Sequence, residues 1–222
     1  MAEKPSNVDQ WLERETPHIR QALESASRYF DVNDSLTVNT LEAVYGRESS
    51  FGTQLGARST NAAAGHFHFI RGTAEEYGLS VSEKNDQRFD IEYASSAAAR
   101  YLKDLDNRFS EGTKTIIGVT DSIERQKFAL AAYNGGPRRI ADAQQRAKQA
   151  GTDPTVWMNV EKFLESEDTS RSKADEIRQY VERVLSYQAE FTAKSPADKT
   201  IKHKETPRKG RYRCAEGHWV TI

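Results

Sequence analysis

One stretch concentrates the residues able to do chemistry: Leu41-Glu42-Ala43-Val44-Tyr45-Gly46-Arg47-Glu48-Ser49-Ser50-Phe51-Gly52. Leu41, Val44 and Glu48 follow the i, i+3, i+7 spacing of one helix face. That face is otherwise apolar, so the Glu48 carboxyl is expected to be dry, and dryness penalises its charged form. The C-terminal end of a helix disfavours negative charge too. An acid that keeps its proton near neutral pH can give it to a leaving group. The plain alternative is a helix-terminal Glu facing water. A second candidate is His66-x-His68, two imidazoles that an extended chain would aim to one side, with Glu48 as a third metal ligand. No Cys or further His lies near them in sequence, so no metal site is expected. Cys214 and His218 are too few for a zinc knuckle.

The 222 residues suffice for one sizeable core or a core plus a short appendage. Net charge is −1, so no whole-chain field marks a nucleic-acid or membrane binder. No apolar run is long enough to span a bilayer. Met1-Ala2-Glu3-Lys4-Pro5 opens no apolar signal region, so the sequence predicts a mature form or export by another route. The single cysteine, Cys214, permits no internal disulfide.

The elements that position these groups read as helices. Ser6 to Arg14 forms a short one, with Val8, Trp11 and Leu12 inward. Thr16-Pro17 starts the next, with the stripe Ile19, Ala22, Leu23, Ala26 and Phe30. Asp31 to Asp34 is a turn, and the Glu48 helix follows over about Thr37 to Arg47. Ser49 to Gly65 is an irregular, small-residue connection suited to binding groups. Thr73-Ala74-Glu75-Glu76 reads as a capping box opening a short helix. Asp90 to Leu105 is a helix whose Ala97-Ala98-Ala99 run lets a neighbour approach. Asp121 to Tyr133 is another, with Glu124 as the partner of its cap, and Asn134-Gly135-Gly136-Pro137 stops it. Pro137 then begins a helix to about Gln149. An apolar piece, Val156 to Leu164, and a polar loop precede the last helix, Ala174 to Phe191. No segment up to residue 191 alternates with period two, so the expected class is all-α. Ser195 to Arg213 reads as a basic, flexible linker, and the last residues as a small hairpin turning near Gly217. The division expected is 1–34, N-terminal helices packing on the core; 35–192, the catalytic domain; and 193–222, a basic linker with a hairpin-like appendage.

Glu48-Ser49-Ser50-Phe51, Ala64-Gly65-His66-Phe67-His68, Thr73-Ala74 and Ala131-Ala132-Tyr133-Asn134-Gly135-Gly136-Pro137 together resemble the motif series of the soluble lytic transglycosylases, over about residues 35 to 190. The resemblance implies a goose-type lysozyme-like fold. It gives Glu48 the role of single catalytic acid and base, and Ser59 that of a loop residue contacting the N-acetyl group of the muramoyl sugar. Tyr133 and Asn134 match a cleft-lining pair, with the face of Tyr133 suited to stacking on a sugar. Glu161 and Tyr180 resemble later cleft residues. His68 departs from the pattern, which has Gln in a Gly-Leu-Met-Gln type run. Imidazole can still hydrogen-bond a sugar, but it titrates near neutral pH.

Each match has a plainer reading from its pattern. Tyr133 and Tyr180 can fill core, Asn134 can cap its helix, and Ser59 can be an ordinary loop residue. Most glycosidases need two carboxylates; the resemblance supplies one and implies that the substrate's own 2-acetamido and 6-hydroxyl groups replace the other. The implied product carries a 1,6-anhydro-muramoyl end, and the implied partner is the peptidoglycan glycan strand, with no cofactor. Two alternatives share the fold: a muramidase that uses water, and an inactive wall-binding or assembly protein. Action on the cell wall, periplasmic or extracellular, is implied. The basic tail is a candidate contact for an envelope, secretion or phage-assembly partner, and nucleic acid is not expected.

Overall fold

The computed structural model describes residues 5–58, 61–194, 211–213 and 219–221. Through residue 194 the regular elements among them are helical: α1 (Asn7–Leu12), α2 (Pro17–Ser27), α3 (Val38–Ser49), α4 (Arg71–Glu76), α5 (Ile91–Glu111), α6 (Ser122–Gly135), α7 (Pro137–Gln149), α8 (Trp157–Val160) and α9 (Arg171–Lys194). The all-α class read from the sequence is the one observed. Among the described residues no helix is long and apolar enough to cross a membrane.

Caps fix most helix starts where the sequence placed them. Ser6 and Asp9 close a capping box on α1, and Thr16 accepts the Ile19 N–H ahead of Pro17 on α2. Asp90 takes the N–H groups of Glu92 and Tyr93 at the start of α5. Asp121 does the same for Ile123 and Glu124 on α6. The Glu124 carboxylate does not reach back to complete that cap; it accepts the Trp157 N–H at 2.7 Å and so ties α8 to α6. Gly136, at φ 83°, turns the chain from α6 into α7.

Three boundaries differ from expectation. The α4 helix begins at Arg71, so Thr73 is inside it and caps nothing. Arg71 sets that start by pairing with Glu75 one turn on and by donating to the Val81 carbonyl. The α5 helix runs on to Glu111, and α9 extends beyond both predicted ends, because exposed polar residues continue a helix whose inner face still packs. A 3-10 turn at Gln87–Phe89, capped by the Asp86 side chain, is an element the sequence reading did not include.

The core is built around α6. Phe128, Ala129, Leu130, Ala131 and Ala132 are all fully buried, so this stretch of α6 is apolar on every side, and the helix packs on α5, α7 and α9. The α3 helix lies against α9 and α2, and α2 against α5. Beneath α3, Trp11 stacks near Phe51 and Phe191 and meets Tyr187 edge-on. A Cβ on Gly46 would collide with the Trp11 ring, so this glycine permits the close approach of α1. Strands β1 (Arg211–Arg213) and β2 (Trp219–Thr221) pair antiparallel, with Tyr212 opposite Val220. The stretch 195–210, read as a linker, and Gly217, read as the turn, lie outside the described residues.

Candidate active site

The last turn of α3 delivers Glu48, and a sharp bend follows. Ser50, Phe51 and Gly52 have φ of 48°, 59° and 82°, three successive left-handed residues. For Ser and Phe this conformation costs on the order of 1 kcal/mol each or more. Packing holds it: Phe51 is buried against Tyr45 with ring centroids 4.5 Å apart. Buried Ser49 accepts the Gly52 N–H and donates to the Tyr45 carbonyl. The bend fixes where Glu48 points.

The Glu48 side chain is 14% exposed. Its Oε1 accepts a hydrogen bond from the Tyr180 hydroxyl at 2.7 Å, and its Oε2 lies 3.9 Å from His68 Nδ1. Burial pushes its pKa up. The Tyr180 hydrogen bond and the charges of His68 and Arg47 pull against this, Glu176 adds to it, and the net is upward. The outcome is an acid with a raised pKa, held by a phenol and reachable from outside.

Tyr180, on α9, is buried and stacks near Tyr133 with centroids 6.4 Å apart. The Arg47 guanidinium sits 5.6 Å from the Tyr180 ring centroid. Tyr133 is half-buried, and Phe69, Tyr101 and Tyr180 surround its ring. Its hydroxyl donates to the Phe67 carbonyl at 3.1 Å, tying α6 to the loop that carries His68. This packing leaves less free ring face for a sugar than the sequence suggested. Asn134 donates to Glu176 at 3.0 Å, and Lys173 bridges both residues. Burial pushes the Glu176 carboxyl up, but the bonds from Lys173 and Asn134 outweigh it and hold the carboxyl below the usual range. An open groove of about 540 Å³ runs along the first turns of α9, lined by Arg171, Ser172, Asp175, Glu176 and Gln179. Glu176 lies one helical turn before Tyr180, so the groove ends beside the Glu48 cluster, although Glu48 is not in its lining.

The His68 loop is held from below. Gly65, at φ 82°, lies so close to the Arg88 backbone that a Cβ would collide with it. His66 N–H donates to the Arg88 carbonyl, and the fully buried Arg88 side chain donates to the carbonyls of Ala62 and Phe69. Asp86 pairs with Arg88 at 2.7 Å. His68 itself has φ 48°. The run is therefore a turn, imposed by Gly65 and Arg88, and not the extended segment that a two-histidine metal site would need. His66 Nδ1 meets the Tyr45 hydroxyl at 3.1 Å while His68 faces Glu48, so the two rings do not converge on a metal. Among the described residues no group of three His, Cys, Asp or Glu side chains is placed to hold one.

Of the residues singled out by sequence, Glu48, His68, Tyr133 and Tyr180 meet, and Asn134 joins them through Glu176. Glu161 stands apart. It follows α8 in a 3-10 turn and its carbonyl accepts from Arg178; burial raises its carboxyl pKa, against the pull of Arg178, Lys162 and a hydrogen bond from Trp157. Ser59 lies outside the described residues. Sequence reasoning passed over Arg47, Arg88 and Glu176. The i, i+4 spacing of Glu176 and Tyr180 was a usable signal; the bracing role of Arg88 left none, because the carbonyls it ties, of Ala62 and Phe69, are distant in sequence.

The profile of the family described as Transglycosylase SLT domain matches residues 27–156. Glu48, His68, Tyr133 and Asn134 fall inside the match; Glu161 and Tyr180 lie beyond it. The chain is 34% identical over 140 residues to the membrane-bound lytic murein transglycosylase F of Desulfosudis oleivorans, covering 59% of this chain and 28% of that protein. The protein of that name from Pseudomonas fluorescens is 29% identical over 154 residues, covering 66% of this chain and 28% of its own length. The Shewanella loihica protein is 32% identical over 108 residues, with shares of 49% and 20%. The alignments thus span less than a third of these relatives.

Proposed function

The chain belongs to the transglycosylase SLT domain family, and from that premise we propose that it cleaves the β-1,4 bond between N-acetylmuramic acid and N-acetylglucosamine in peptidoglycan, leaving 1,6-anhydro ends. The observation that carries this reading is Glu48: a carboxyl with raised pKa, oriented by Tyr180 and still partly exposed. Glu48 protonates the glycosidic oxygen as the bond breaks. The 2-acetamido group of the muramoyl sugar stabilises the cationic carbon, with Ser59 as its proposed contact. Glu48, now a carboxylate, takes the proton of the 6-hydroxyl as that oxygen closes the ring. Tyr180 stabilises the carboxylate between the two steps.

The lysozyme-like catalytic unit spans residues 35–192 in this reading, residues 1–34 brace it, and 193–222 form an appendage. The basic part of that appendage is the proposed contact for an envelope, secretion or phage-assembly partner, and the place of action is the cell wall, from the periplasmic or outer side. Asn134 and Glu176 position the glycan along α9, and Glu161, tied to α9 through Arg178, is a more outlying proposed contact. Mass analysis of sacculi digested by the purified chain tests the proposal. Products with 1,6-anhydro-muramoyl ends are expected. Reducing ends would assign the water-using reaction instead, and no released sugar would overturn both.

A further inference from the structure

His68 stands where the family pattern has Gln, and its geometry is more specific than a sugar contact requires. Its Nε2 lies 2.8 Å from the Gln54 carbonyl oxygen. A carbonyl oxygen only accepts, so Nε2 carries a hydrogen, and in the neutral ring Nδ1 is then a bare lone pair. That lone pair faces Glu48 Oε2 at 3.9 Å, a gap that a small side-chain rotation closes. The left-handed backbone of His68 is kept in place by Gly65, the Arg88 bonds and the Tyr133 hydroxyl, so the placement is built into the loop.

We propose that His68 is a positioning residue that shares a proton with Glu48, the two forming one titrating pair. The inference rests on Glu48 being the catalytic acid. Transfer of the proton from Oε2 to Nδ1 turns a neutral acid and a neutral imidazole into a carboxylate and an imidazolium, with no change in net charge. The other titratable or charged groups facing Glu48 are Arg47 from its own helix, Tyr133 from α6, and Tyr180 and Glu176 from α9. None of these presents a free lone pair to Oε2 in the contacts described. A charged His68 favours the Glu48 carboxylate, which is one side of the coupling. The other is that the pair gives up its last proton at a higher pH than Glu48 beside an uncharged neighbour.

Three measurements on the full chain test this. Nitrogen-15 NMR of the His68 ring should show the Nε2–H form above the pH where the ring loses its charge. The Glu48 carboxyl carbon should titrate in two steps in the wild type and in one step in His68→Gln. The alkaline limb of sugar release should move to lower pH in His68→Gln. An Nδ1–H ring, or matching single-step titrations in both proteins, would overturn the pair. Should His68→Gln fail to fold by circular dichroism, the ring tautomer and the wild-type titration decide alone. Coupling without glycan release would sink the proposed activity and leave the pair standing; release without coupling would do the reverse.

Discussion

The α3 helix carries two carboxylates taken out of water, Glu42 and Glu48, and they have opposite fates. Glu42 is fully buried, and the Arg20 guanidinium lies 3.0 Å from it. Burial raises its pKa to about 7, with Arg20 pulling down and Glu15 and Glu24 pushing up. Glu48 is also raised by burial, but its fixed partner is a neutral phenol, and part of it stays open. Dryness alone therefore does not make a catalytic acid. A cation seals Glu42 into the packing of α2 on α3. In the proposed reading, a hydroxyl donor, a neighbouring imidazole and partial exposure leave Glu48 free to exchange its proton.

Replacing each acid in turn sharpens this contrast most. Glu48→Gln should lower sugar release by roughly 10²–10⁴-fold with an unchanged fold, the range typical of a lost general acid, whereas Glu42→Gln should keep it. Turbidity of a sacculus suspension reads both. Next in size, Arg20→Ala strands a buried charge and should cost about 3–5 kcal/mol in urea unfolding; Arg20→Ala combined with Glu42→Gln should recover much of that. Third is the pH dependence of stability. The folded-state pKa of Glu42 is raised from 4.5 to about 7, so the folded chain binds the extra proton. Its contribution is full below about pH 4.5 and lost as pH rises through about 7, a change of about 3 kcal/mol. Urea midpoints measured across that window should fall, and Glu42→Gln should flatten the fall. Smallest, Tyr180→Phe removes a hydrogen bond to the carboxylate worth about 1.5–3 kcal/mol. The Glu48 pKa then rises further, and the alkaline limb of activity should move to higher pH, opposite to the shift for His68→Gln.

Local signals made most of the helices legible in the sequence: Thr16-Pro17, Asp90, Asp121 and the Asn134 to Pro137 stop all behave as their chemistry dictates. Periodicity placed Glu48 inward, but the same pattern gave no notice of Glu42, because nothing local announces that Arg20, a helix away, waits for it. Loop geometry was the least legible. The turn through His68 is set by Gly65 lying against Arg88, and the hydrogen bond from Tyr180 crosses 132 residues of chain. Sequence spacing could nominate Tyr180; only the packing of α9 on α3 brings its hydroxyl to the acid.

The proposed chemistry requires Glu48 to hold its proton at a pH where an exposed glutamate has lost it. Infrared difference spectra of wild type against Glu48→Gln, taken through a pH titration, isolate the carboxylic-acid band of this one side chain from that of Glu42. The band should persist well above the ordinary glutamate pKa of about 4.3. Its disappearance at or below that pH would contradict the account.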